Sequence, residues 1–347
     1  MYSTLKNINY NPPSLGNNAV CGIYLVMEGR QDRKAEGGLR LKGHYKKPGP
    51  GKPLITVITV VLNRGKTIEQ CLLSVLEQTY ENIEYLIVDG ASTDGTLDII
   101  QKYEAAVDYY VSEPDSGIYN AMNKGLSLAT GNYILFLNAD DWYRKDAVEL
   151  LLSNAVSSNA DVTYADAYIV NSEGVLLRRL DSWLHDGLYT RGAPLRHETM
   201  LVKADIYNKF GNYDESYYII ADYDFMITLY HESCSFSHVP QPLLYFRNNG
   251  ISSVDYEKRQ ADRVHLFRKL FPFLDDEDLS IMKRHGRLST DTRLKLIEKH
   301  KGKSELFIRS MAYNIADQVI YEKPEHRPAT FIRTLVSFFR KALKNFR

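Results

Sequence analysis

The chain has few cysteines: Cys21, Cys71 and Cys234 among 347 residues. They are odd in number, far apart and without Cys-x-x-Cys spacing. That excludes a disulfide framework and a structural zinc site from expectation, and points to a reducing, cytosolic setting. Long hydrophobic runs are also missing. No stretch approaches the ~18 apolar residues of a membrane span, and no early segment joins a charged start to an apolar core as a signal peptide does. Net charge is absent too, because 43 Lys and Arg balance 43 Asp and Glu. With no global positive field, nucleic acid is not an expected partner. Attraction to a polyanion or a membrane must come from local clustering. The length is enough for one large domain plus appendages.

Residues 1–53 read as an N-terminal extension. They hold Asn11-Pro12-Pro13, the charged run Arg30-Gln-Asp-Arg-Lys-Ala-Glu36, and a Pro/Gly-rich linker at 46–53 that marks an expected domain boundary. The apolar patch 23–27 is a candidate edge strand or docking segment. Residues 54–61, Leu-Ile-Thr-Val-Ile-Thr-Val-Val, are β-branched and nearly all apolar, as in a central parallel strand. Residues 67–78 carry Ile68, Cys71, Leu72, Val75 and Leu76 at helical spacing. Strands follow at 85–88, 109–111 and 133–137, with helices from Thr96 and at 118–129. This alternation specifies βαβ units and a parallel sheet. Beyond Asp146 the pattern loosens into a helix to about Ala155, a strand at 161–164, a hairpin-like region around 171–174, a strand and helix within 199–210, and a helix starting near Asp222. A charged helical region begins after Asp255. The expected divisions are 1–53, 54–254 and 255–347.

The most informative stretch is Tyr133-Ile-Leu-Phe-Leu-Asn138-Ala-Asp140-Asp141. A buried-strand pattern ends abruptly in two carboxylates, at the end of a parallel strand where open α/β sheets bind ligands. Like charges so close repel unless compensated, and a divalent cation carrying a phosphate is the usual compensator. A strand ending in a solvated Asp-Asp turn is the bland alternative.

Five elements recur in a fixed order: the strand at 54–61, Ile-Val-Asp89-Gly-Ala-Ser-Thr-Asp-Gly-Thr, Gly117-Ile-Tyr-Asn-Ala-Met-Asn-Lys-Gly125, Leu-Asn138-Ala-Asp140-Asp141, and a later half with His197-Glu198, Phe210-Gly-Asn-Tyr-Asp-Glu215 and Ile220-Ala-Asp222. In this order and spacing, residues 54–250 closely resemble the family 2 glycosyltransferases. The resemblance implies a GT-A fold, a Rossmann-like, mostly parallel nucleotide-binding sheet flanked by helices, here with a helical C-terminal extension. It implies inverting transfer of a hexosyl or N-acetylhexosaminyl group from a nucleoside-diphosphate sugar, UDP-linked by expectation, to a hydroxyl of a glycan or lipid-linked acceptor in bacterial surface-polysaccharide assembly. Asp89 then accepts the ring N–H of a pyrimidine, with Val60 and Leu62 lining the same pocket. Asn138 contacts sugar or ribose. Asp140 binds Mn²⁺ or Mg²⁺, Asp222 is the catalytic base, and His197 and Glu198 edge the acceptor site. Arg247 would close over the diphosphate.

Three positions depart from the family pattern. Asn138 replaces the first Asp of Asp-x-Asp, Ala221 replaces an acidic neighbour of Asp222, and Met122 stands where relatives often place an arginine. These departures keep a non-catalytic, nucleotide-binding scaffold open as a rival. A nucleotidyltransferase ranks lower, since 62–67 holds one glycine rather than a glycine-rich basic loop. At the C-terminus, residues 331–347 place Phe331, Leu335, Phe338, Phe339 and Leu343 on one helical face and Arg333, Arg340, Lys344 and Arg347 on the other. Such a helix either lies on an anionic membrane surface or packs on the protein or a partner. The expected location is cytoplasmic, peripheral to the inner face of the membrane if the tail binds lipid.

Overall fold

The computed structural model describes residues 20–248, 250, 255–283 and 288–322. The expected amphipathic tail at 331–347 lies outside them. Ten strands among the described residues form one sheet: β1 (Ala35–Gly37), β2 (Ile55–Val61), β3 (Ile83–Asp89), β4 (Tyr109–Ser112), β5 (Tyr133–Phe136), β6 (Trp142–Tyr143), β7 (Val162–Val170), β8 (Leu176–Leu180), β9 (Leu201–Lys203) and β10 (Phe236–Arg247). Their order is β1-β4-β3-β2-β5-β9-β7-β10-β6, with β8 paired to β7. β4, β3, β2 and β5 are mutually parallel, as the βαβ spacing requires. The antiparallel β9, wedged between β5 and β7, makes the whole sheet mixed.

Every residue of β2 is buried because helices cover both faces of this half of the sheet. Ile58 and Val60 pack with Met122 and Leu126 of α3 (Ile118–Leu128), while Ile55 and Val57 pack with Cys71 and Leu72 of α1 (Ile68–Leu76). Gly125 lets α3 lie directly on the strand, since a Cβ there would meet Ile58 Cγ2 at 2.4 Å. Helices α2 (Thr96–Lys102) and α4 (Ala147–Ser158) complete the first half. The second half adds α5 (Leu188–Arg191), α6 (Ala204–Phe210) and α7 (Ala221–His231), followed by α8 (Tyr256–Leu270), α9 (Asp276–Met282), α10 (Thr290–Lys299) and α11 (Glu305–Glu322).

Three findings differ from the sequence reading. Order does not begin at Leu54. Residues 35–37, at the end of the charged run, form β1 on the edge of β4, whereas the 23–27 patch forms no strand. Within 46–53, Lys46 pairs with the buried Asp108 at 2.9 Å and Lys52 O accepts Asn82 Nδ2 at 3.0 Å, so the segment is fastened to the sheet. Second, 236–247 is a long strand that the sequence hid. Its Pro240 and Pro242 sit at the register shifts where it runs parallel to β7, as proline in a strand must. Third, the helices after 255 share the main core. Leu266, Phe267 and Phe307 belong to the same apolar cluster as Tyr223 and Leu188. The Thr190 and Ser310 hydroxyls lie 2.8 Å apart.

Candidate active site at the strand ends

The carboxyl ends of β2 and β3 are in register, Val61 opposite Asp89. Asp89 is fully buried. It accepts Ser92 N at 3.1 Å, Ser112 Oγ at 2.5 Å and the Ser92 hydroxyl. The facing loop is locked to it: Asn63, at φ +52°, donates its N–H to Ser92 Oγ at 2.8 Å and accepts Thr93 N at 2.9 Å. The turn before α2 is held by Asp94, which accepts Thr96 N at 3.1 Å and Gly65 N at 2.9 Å. Asp89 is therefore not that turn's cap. Val60 is buried beneath α3, while Leu62 is exposed beside Gly90.

After β5 the three polar residues separate. The Asn138 amide donates to the buried Glu198 carboxylate. Asp141 turns inward, and its Oδ1 accepts Arg247 N at 2.8 Å. Burial first, then the nearby Glu198, pushes the Asp141 carboxyl well above the usual carboxylate range. Of the two carboxylates only Asp140 is partly exposed, as Asn138 also is, and Asp140 is engaged at the rim. Its Oδ1 lies 2.7 Å from Arg64 Nε and accepts Thr67 Oγ1 at 3.1 Å. Arg247 is buried. It donates Nη1 to Asp140 O at 3.2 Å and Nη2 to Gln70 Oε1 at 2.7 Å, with its guanidinium 4.7 Å above the Trp142 ring. It braces the Asp140 loop from behind.

Asp222 occupies the first turn of α7, and its Oδ1 accepts Tyr119 OH at 2.8 Å. Burial and then the adjacent Asp222 charge push the Tyr119 hydroxyl well above its usual range, so it stays a donor. Asp224 faces α8 and pairs with Lys269 at 2.7 Å. Both residues expected on the acceptor side are buried. His197 Nε2 lies 2.7 Å from Tyr213 OH, and the imidazole packs 5.1 Å from the Phe136 ring. Tyr213 in turn packs 5.9 Å from Tyr119. Phe136, Tyr213 and Tyr119 thus form a continuous aromatic wall from β5 to Asp222. Glu198 supports Asn138, and its carbonyl accepts Tyr143 OH at 2.6 Å. Their place is behind the site, not at its surface.

Sequence reasoning missed the side chains that partner the motif residues: Tyr119 on Asp222, Arg64 on Asp140, and Ser92 and Ser112 on Asp89. Ser92 and Tyr119 lie inside motifs already singled out. Arg64 follows strand one directly, which was the available signal. No cluster of three or more His, Cys, Asp or Glu that could hold a metal exists among the described residues. The fit of a divalent ion turns on Asp140, whose oxygen already supports one cationic group.

Residues 56–222 match the family model described as Glycosyl transferase family 2. Glycosyltransferase GlyA of Streptococcus pneumoniae serotype 4 is 37% identical over 125 residues, 35% of this chain and 18% of that protein. Putative teichuronic acid biosynthesis glycosyltransferase TuaG of Bacillus subtilis is 36% identical over 137 residues, 39% of this chain and 53% of that one. The chain thus spans about a fifth and about half of these relatives. Among solved structures, Staphylococcus aureus TarS 1-349 in complex with UDP-GlcNAc superposes with a TM-score of 0.53 at 17% identity, covering 79% of this chain and 93% of that one. Mannosyltransferase PcManGT from Pyrobaculum calidifontis, in complex with GDP-Man and Mn²⁺, also gives 0.53 at 17% identity, covering 88% and 92%. The fold is that of the GT-A enzymes. Residues 56–222 of the chain carry a match to glycosyl transferase family 2.

Proposed function

We propose that the protein transfers a sugar, with inversion, from a nucleoside-diphosphate sugar to a hydroxyl of a glycan or lipid-linked acceptor in bacterial surface-polysaccharide assembly. The observation that carries this reading is the Tyr119–Asp222 bond. It brings the α7 carboxylate to the first turn of α3, while β3 ends in Asp89 and the loop after β5 carries Asp140. The donor lies across those strand ends. Asp89 accepts the ring N–H of uracil, with the Ser92 hydroxyl turning aside. Leu62 covers the base and Val60 supports it from below. Asn138, its amide held by Glu198, meets the sugar or ribose.

Asp222 takes the proton of the acceptor hydroxyl as that oxygen bonds to the anomeric carbon. The bond from that carbon to the diphosphate breaks on the opposite face, and its electron pair leaves with the nucleotide. Tyr119 keeps Asp222 oriented. Mn²⁺ or Mg²⁺ held by Asp140, when bound, neutralises charge on the departing diphosphate. His197 and Glu198 shape the acceptor side from the second layer. A UDP donor and a metal are consistent with the UDP-GlcNAc bound to TarS and the Mn²⁺ bound to PcManGT, and the pathway with the name of TuaG. A cytoplasmic location fits this donor chemistry, with residues 331–347 offered to the membrane.

The test is hydrolysis of a panel of UDP-sugars with Mn²⁺. Asp222→Asn should lower turnover by about 10²–10⁴-fold while leaving UDP affinity intact. Asp140→Ala should lose both turnover and metal-dependent binding. Wild-type rates in both variants would refute the assignment, and absence of any UDP binding by calorimetry would favour a non-catalytic scaffold.

A further inference from the structure

We propose that Arg64 is a built-in counter-ion that occupies the cation position on Asp140 in the donor-free protein, and yields it only to a metal arriving with the nucleotide. The inference rests on the nucleotide-sugar reading above and concerns the order in which that site fills.

The argument begins with the chain after β5. The Asn138 amide N–H is committed to Glu198 and Asp141 is buried against Arg247 N, so Asp140 is the one carboxylate of the three residues at the rim. Asp140 remains, and its Oδ1 is already engaged by Arg64 Nε at 2.7 Å and by Thr67 Oγ1 at 3.1 Å. The backbone that carries Arg64 is fixed. Arg64 N donates to Thr96 Oγ1 at 2.8 Å, and the preceding Asn63 is locked at φ +52° by Ser92 and Thr93. Its side chain is the adjustable part, 37% exposed and folded back so that Nη1 reaches Leu62 O at 3.3 Å and Asn63 O at 3.0 Å. The guanidinium therefore lies over the end of β2, between the base-recognition loop and the carboxylate.

One carboxylate oxygen cannot hold a guanidinium and a divalent ion together without strong repulsion between the two cations. A diphosphate offers more negative charge than Asp140 and matches the planar fork of arginine in a bidentate contact. Arrival of the nucleotide thus transfers Arg64 from Asp140 to a phosphate and frees the carboxylate for the metal. The empty protein keeps Asp140 compensated and rejects free metal. Nucleotide and metal become reciprocal in their binding.

The experiment is a Mn²⁺ titration of the full chain followed by electron paramagnetic resonance, with and without UDP, for wild type, Arg64→Met and Arg64→Lys. Wild type should bind Mn²⁺ weakly alone and at least about tenfold more tightly with UDP. Arg64→Met should bind Mn²⁺ alone about tenfold more tightly than wild type and lose most of the gain from UDP. Arg64→Lys, which keeps the charge but not the bidentate fork, should match wild type without UDP and show a smaller gain with it. Equal Mn²⁺ affinity of wild type and Arg64→Met without UDP would overturn the proposal. If UDP binds to none of the three under any condition, the nucleotide-sugar reading itself fails; if UDP binds and only the Arg64→Met difference is missing, the counter-ion role alone fails.

Discussion

Asp222 sits at the start of a helix, where an aspartate can serve as nothing more than a cap. The structure gives it a different partner: its Oδ1 accepts a hydroxyl from Tyr119, 103 residues earlier. A buried tyrosine whose hydroxyl is pushed well above its usual range, by burial and then by the Asp222 charge, is a dependable donor, and it fixes the direction of the carboxylate. Tyr119→Phe keeps the ring in the aromatic wall and deletes that bond alone. We expect kcat for transfer to fall by about tenfold with the donor KM unchanged, since a hydrogen bond to a charged group is worth ~1.5–3 kcal/mol. Steady-state kinetics check this, and an unchanged kcat would remove the positioning role. Asp89, Asn138, Asp140 and Asp222 could be singled out as candidates because their order along the chain is characteristic. Tyr119, Arg64 and the inward turn of Glu198 could not, because they meet their partners only after distant segments pack.

At the scale of elements, the N-terminal arm is the largest departure from the sequence reading. Its composition suggests a linker, but one arginine decides its place. Arg40 is 2% exposed and donates to Glu84 Oε1 at 2.5 Å, Leu25 O at 2.9 Å and Leu128 O at 2.9 Å. Glu84 in turn accepts Thr56 Oγ1 at 2.6 Å and Thr130 N at 2.8 Å, so the buried pair is well satisfied. Removing one partner strands a buried charge. Arg40→Ala should therefore destabilise the fold by about 3–5 kcal/mol, read from urea denaturation, and the double variant Arg40→Met/Glu84→Gln by less. An equal loss in both would show that packing, not charge, dominates. Periodicity cannot reveal such a pair, because neither residue belongs to an apolar pattern.

Helix α9 carries a second element-scale prediction. Asp275 caps it by accepting Asp278 N at 2.9 Å and pairs with Lys299 at 2.8 Å. The Lys299 bond first, then the Asp278 N–H, hold the Asp275 carboxyl down to about 2. A carboxylate with a depressed folded-state pKa stabilises the fold above its unfolded value, near 4, and loses that contribution as the pH falls towards 2. The melting-temperature difference between wild type and Asp275→Asn should thus be full at pH 6 and shrink below about pH 4. A difference that does not change with pH would contradict the assignment.

Across the whole molecule, the parallel half of the sheet was legible from alternating apolar strands and helices, and the second half only partly so. β10 was hidden by two prolines at its bulges, whereas the short β9 and the helix after it fall within the strand and helix expected at 199–210. The helices after 255 are polar enough to suggest a separate unit, yet Leu266, Phe267, Phe307 and Met311 close the main core. Ending the chain at residue 254 would expose that apolar face, and we expect an insoluble product on expression. A soluble, cooperatively folded 1–254 would show the helices to be dispensable. The central claim is that a nucleotide and its metal meet at the strand ends beside Asp222. Its most direct measurement is anomalous diffraction from crystals grown with UDP and Mn²⁺. The account predicts a manganese peak beside Asp140, with the uracil ring N–H on Asp89 and Arg64 turned to the diphosphate. UDP bound elsewhere, or bound at the strand ends with no manganese at Asp140, would contradict it.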